Sequence, residues 1–267
     1  MEEQVNQLPQ GWAKDALTQF ISYAQNNEVA TFSNLSDFFD VLINVDAVLL
    51  DSSQYCLLQQ HKPNPSIGFL LYINAHMHFR ALVRMVTSGQ CLSAYPLGRA
   101  ALEGAVYGWY LVSFPDAEKL WHNKPNKNDK DGLRKWGRSF SFSNIKRLIT
   151  EKDADLGRMI EYINEEAIEL GAHPNQTSLY SNFEIKMNPA GARVYSMNCL
   201  HRHGLLMART IMFAIEVGIA QLRLISSINE EIENLFHLEG KIQKLFDEFE
   251  SIRPKLEEFG DLDGAAE

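Results

Sequence analysis

The side chains best placed to do chemistry in this 267-residue chain fall on one line: Tyr95, Arg99, Glu103, Tyr107 and Tyr110, spaced four, four, four and three. At a helical period that spacing stacks all five on one face. The stretch around them, 91–113, is otherwise apolar or small, with Gly104, Ala105 and Gly108 letting a neighbouring helix come close. A guanidinium and a carboxylate set among apolar residues each lose roughly several kcal/mol of hydration, so they must pair or bind something. Two outcomes stay open here: an ion pair ringed by tyrosine hydroxyls that only holds the bundle together, or a ligand or catalytic site built on Arg99 and Glu103.

Two more polar lines accompany it. In 66–87, Tyr72, His76, Arg80 and Arg84 recur every fourth residue, and in 196–227, Arg202, Arg209, Glu216 and Arg223 recur every seventh. The turn at 88–90 is so short that the helices flanking it should be antiparallel neighbours, bringing His76 or Arg80 within reach of Arg99 and Glu103. His173, in Gly171-Ala172-His173-Pro174-Asn175, follows a helix end on a chain stiffened by proline. It can act as acid, base or donor, or cap the helix as an imidazolium. The candidate site is therefore His173, Arg99 and Glu103, with His76, Arg80, Tyr95, Arg209 and Glu216 in support.

Most enzyme motifs are missing: there is no GxGxxG, GxxxxGK[ST], GxSxG or HExxH. Glu118 with His122 and Glu233 with His237 are one residue too far apart for the Glu-x-x-His of a di-iron bundle. His76 with His78, and His201 with His203, point to different helix faces, so neither pair is set to share a metal. Neither a metal site nor a cofactor is expected.

The elements that must position these groups are helical. Apolar residues at 3.6-residue spacing predict helices over 9–27, 34–61, 66–87, 91–113 and 117–122, a capped turn at 143–149, and helices over 150–171, 196–227 and 229–254. A small hairpin is predicted from 183–187 and 193–195 across 188–191. The expected fold is an all-α, single-domain bundle of about seven helices: N-terminal helices in 1–62, a core in 63–259 with a basic surface loop at 123–142, and a disordered tail at 260–267. Leu235, Leu238, Ile242, Leu245, Phe249 and Ile252 form a seam that packs on the preceding helix or on a homodimer partner.

The net charge of −9 and pI near 5.4 argue against general binding of nucleic acid or anionic membrane. Charge is uneven, however: residues 116–147 carry nine basic against four acidic side chains, while 148–267 carry eleven against twenty-one. Cys56, Cys91 and Cys199 are far apart and read as reduced core residues at helices, as in a cytoplasmic protein. The acidic start, MEEQVNQL, lacks the apolar segment of a signal peptide. The most apolar run, 205–220, is broken by Arg209 and Glu216 and is expected to be too short to span a bilayer.

The string Leu97-Gly98-Arg99-Ala100-Ala101-Leu102-Glu103, then Phe114-Pro115-Asp116-Ala117-Glu118-Lys119-Leu120-Trp121, then His173-Pro174-Asn175, resembles a family of bacterial all-helical proteins of unknown function. Its marks are an Arg-x-x-x-Glu helix and a later His-Pro loop. The likeness covers roughly 65–180 and implies Arg99, Glu103 and His173 as a shared site, without implying an activity. A remoter likeness is to HEPN-type bundles, many of them ribonucleases or defence proteins. Those use an Arg followed, after four to six intervening residues, by a His on the same helix, and no such pair occurs here, Arg193 and His201 having seven residues between them.

The reading that follows is a cytoplasmic helical bundle with a polar interior site for a small ligand or protein partner. Its rivals are a bacterial stress or defence enzyme acting on RNA or a phosphoester, and a purely structural or dimerising protein. In the enzyme reading His173 is the acid/base, Arg99 stabilises the anion, and Lys130, Arg134, Lys135 and Trp136 guide the substrate. Whether the protein is an enzyme is left open by the residues.

Overall fold

Small residues set a close contact between two long helices. In a computed structural model, which describes residues 8–172, 176–180, 183–189, 191–197, 199–228, 230–257 and 259, helices α3 (Ile67–Thr87) and α4 (Cys91–Ser113) run antiparallel. A Cβ on Gly68 would stand 2.6 Å from the Gly108 carbonyl oxygen, and one on Gly108 2.8 Å from that of Gly68. The backbones meet where neither carries a side chain. Gly89 turns the chain between them at φ 88°, and its carbonyl accepts the His201 N–H at 2.8 Å.

Before this pair come α1 (Ala16–Asn34) and α2 (Ser36–Gln59). The start of α1 is later than the predicted 9–27 because Asp15 caps it, accepting from the Leu17 and Thr18 N–H groups. Thr31, inside α1, donates to the Thr87 carbonyl at 3.0 Å. After α4 come α5 (Pro115–His122), α6 (Lys130–Ser139), α7 (Phe142–Lys152) and α8 (Ala154–Ala167), the last widening into a π turn at Ile168–Ala172. Ser141 caps α7 and Asp153 caps α8, so these helices start at 142 and 154 rather than at the predicted 143 and 150.

The short helix α9 (Gln176–Tyr180) leads to β1 (Phe183–Met187) and β2 (Arg193–Met197), an antiparallel hairpin with Phe183 opposite Met197 and Ile185 opposite Tyr195. Ile185, Met187, Tyr195 and Met197 are exposed on it. The chain ends in α10 (Leu205–Ser226), α11 (Glu230–Phe236), α12 (Leu238–Ile252) and a 3-10 turn at Arg253–Lys255.

The all-α class and the hairpin hold, but the helix number is corrected: the described residues form ten helices of eight residues or more, not about seven, plus the short α9 and α11. One reason is the basic stretch, 123–142, expected as a loop. It contains α6, started by Asp129 accepting from the Gly132 N–H at 2.8 Å. Trp136 holds that helix down, stacking on Trp121 and Phe140 and donating to the Leu120 carbonyl at 3.1 Å. Another is α7, expected as a single turn, which runs for 11 residues; His237, with a left-handed backbone at φ 50°, separates the short α11 from α12 in what was expected to be one helix. Asn229, its expected cap, lies outside the described residues, as do His173 and the tail 260–267.

Two helices are surrounded: α4 packs on α3, α5, α7, α8 and α10, and α10 is the more continuously buried. It touches α2, α3, α4, α8 and α12, and residues from Met207 to Ile225 are buried almost without interruption. By length and composition alone α2 and α10, the latter running past 220 to Ser226, could cross a bilayer, yet 78% of the apolar stretch of α10 is buried inside the bundle. The α12 seam packs on the chain itself: Leu238, Leu245, Phe249 and Ile252 are buried against α10 and α2, while Leu235 is exposed. Cys56 and Cys91 are buried, but Cys199 is exposed.

Candidate functional site

The five-residue line on α4 is divided among different neighbours. Arg99 Nε donates to Glu103 Oε1 at 2.9 Å along the helix, and the two side chains are 28% and 35% exposed, so the pair is half-buried rather than sealed in a dry core. Tyr95 is fully buried, its ring 4.6 Å from that of Phe213 and its hydroxyl 3.4 Å from that of Thr210. Burial pushes its ionisation up. Tyr107 donates to the Phe140 carbonyl, and Tyr110 packs against Phe114 and Phe140. Expected as the third member of the site, His173 lies outside the described residues.

His76 and Arg80 turn to α2. His76 Nε2 is 2.8 Å from Asp46 Oδ1, Arg80 Nε and Nη2 reach the two Asp46 oxygens at 2.8 and 2.9 Å, and Ser53 Oγ is 2.9 Å from His76 Nδ1. Burial works against ionising Asp46, but hydrogen bonds from His76 and Arg80 outweigh it and hold the carboxyl well below the usual range. With Asp46 ionised, Nε2–H donates to its carboxylate, and Nδ1 is left to hydrogen-bond the Ser53 hydroxyl. The order is that of a serine nucleophile relay. Ser53, however, is buried in mid-helix beside a cavity of about 10 Å³, too small for an acyl group. The network ties α2 to α3.

The polar line on α10 does reach a cleft. Both α8 and α12 pack on α10 and stand apart, leaving a space of about 760 Å³ with α10 as its floor. That is the size of a small-ligand site. Met159, Ile219, Ile228, Ile242 and Phe246 supply apolar walls, and Asp153, Glu233 and Glu239 bring carboxylates. Arg223 is engaged by Asp153 at 2.8 Å, and the Glu239 N–H donates to Glu233 Oε2 at 2.8 Å. Lys152 closes the same end, donating to the Ser227 carbonyl at 2.8 Å.

Seven residues before Arg223 on α10 stands Glu216, with Tyr162 and Glu166 of α8 on one side and Glu250 and Arg253 on the other. Burial pushes the Glu216 carboxyl up to about 8, the nearby Glu166 adding to the effect and Arg253 opposing it. Burial also raises Glu166, whose Oε2 has no hydrogen-bond partner among the described residues. Tyr162 rises to about 12 from burial and the Glu166 charge. Arg209 lies on the same line, close enough to favour the ionised forms of Glu166 and Tyr95.

Glu216 and Arg209 thus belong to a different neighbourhood from His76 and Arg80, although all four were expected to support one site. Asp46, Ser53, Tyr162 and Glu166 went unnoticed in the sequence. Asp46 and Ser53 are seven apart and share a helix face, a weak signal that was available. Glu166 sits among Glu161, Glu165 and Glu169, and nothing local marks it out. Among the described residues no group of three or more His, Cys, Asp or Glu side chains is arranged to hold a metal ion. No family model, curated protein or solved structure matches the chain.

Proposed function

We propose that the protein binds a small amphipathic organic cation, an amine on an apolar body, in the cleft between α8, α10 and α12. The observation that carries this reading is the lining: apolar walls from Met159, Ile219, Ile242 and Phe246, carboxylates from Glu233 and Glu239, and a lone arginine already neutralised by Asp153. An ammonium gains from such carboxylates where water is partly excluded, and the apolar body fills the rest. Glu216 adds a pH response, because above about pH 8 its carboxylate strengthens the field at that end.

Calorimetry with alkylamines and diamines, against alcohols and carboxylates of the same length, tests this. Amines should bind, more tightly at pH 9 than at pH 6 while the amine stays charged, and Glu239→Gln or Ile242→Asn should weaken them at least tenfold. Equal binding of the neutral and cationic series, or none by either, overturns the reading. The RNA or phosphoester enzyme has less support. Of its basic guide residues, Arg134 pairs with Asp131, and neighbouring Lys124 sits over the Trp136 ring.

A further inference from the structure

A second polar site lies in the interior, away from the cleft, where α2, α3 and α10 meet. Its cavity, about 10 Å³, is bounded by residues that are all buried. Gln221 of α10 is 1% exposed, and neither its amide oxygen nor its amide nitrogen has a hydrogen-bond partner among the described residues. Tyr72 of α3 is 5% exposed with its hydroxyl in the same condition. Both line the cavity, together with Ser52, Ser53 and His76. A buried donor or acceptor left unpaired costs about 1–3 kcal/mol, and three such atoms around one space are a strong demand for a shared partner.

We propose that this cavity is the binding site of a single ordered water. Its volume is about that of one water-sized sphere, and its polar groups supply the two to four partners that a buried water takes. The donor and acceptor pattern is complementary. Ser53 Oγ is engaged by His76 Nδ1 at 2.9 Å, and Ser52 donates to the Val48 carbonyl at 2.9 Å, so each hydroxyl oxygen keeps a lone pair to accept with. The water donates to Gln221 Oε1 and to a serine oxygen, and accepts from the Tyr72 hydroxyl. It thereby extends the Ser53–His76–Asp46–Arg80 chain from the surface to the central helix, joining three helices through one molecule.

A high-resolution crystal structure of the whole protein tests this directly: a density peak is expected within hydrogen-bond distance of Tyr72 Oη and the Gln221 amide. Tyr72→Phe and Gln221→Met each remove one partner of the water while keeping the packing. Each should lower the melting temperature by about 2–4 °C, and the double variant should lose less than the sum. In a dry cavity the same substitutions erase unpaired polar atoms and leave the melting temperature unchanged or raised. An empty cavity in the crystal overturns the proposal, and so does a melting temperature that either variant leaves unchanged or raises.

Discussion

At Glu216 the chain keeps a carboxyl protonated near neutral pH, because burial and the Glu166 charge both disfavour the anion. An unfolded glutamate ionises near 4.5 and the folded one near 8, so between these values the native state retains a proton that the unfolded state has released. The stability linked to this group is fully present below pH 4.5 and is lost as pH rises through 8. Glu216→Gln removes the titration and keeps the shape. Its stability from urea unfolding should match the parent's near pH 5 and exceed it by roughly 2–4 kcal/mol at pH 9; curves that run parallel across this range would refute it. The Arg99–Glu103 pair is a different case. Two half-exposed partners four residues apart contribute about 0.3–0.5 kcal/mol, not the 3–5 kcal/mol of a buried pair that loses one partner.

Helices were more legible than the partners of their side chains. The bounds of α4, 91–113, can be read from Gln90 and Phe114 flanking an apolar run, and the hairpin from Asn188-Pro189-Ala190-Gly191 between two alternating strands. The α6 helix was hidden because Pro, Asn, Asp and Gly mark a loop locally, while the ring stack of Trp121, Trp136 and Phe140 that stabilises it is assembled from distant positions. The polar lines were visible as lines, but spacing says only that residues share a face, not which neighbour that face meets. So Glu216 was visible as a candidate, whereas its companion Glu166 was not. What decides the neighbours is close approach, and Gly108→Ala tests it: the new Cβ would sit 2.8 Å from the Gly68 carbonyl oxygen and 2.9 Å from the Tyr72 ring, in a backbone contact that cannot yield cheaply. A loss of about 1–3 kcal/mol is expected in chemical denaturation, and an unchanged midpoint would show that α3 and α4 can separate freely.

Across the whole molecule, burial is concentrated on α10, and the cleft exists because two of its neighbours share that helix without closing on each other. At the opposite extreme stands the hairpin, two strands with Ile185, Tyr195 and Met197 exposed and with no third strand among the described residues. A pair of strands alone is marginal in water. In deuterium exchange the two ends of this range should separate by orders of magnitude in time. Backbone protons of α10 are released only when the entire chain opens, so their rates give the global unfolding free energy, whereas those of β1 and β2 escape through local opening that leaves the bundle standing. Equal rates for the two segments would mean that the hairpin and the central helix open as one cooperative unit.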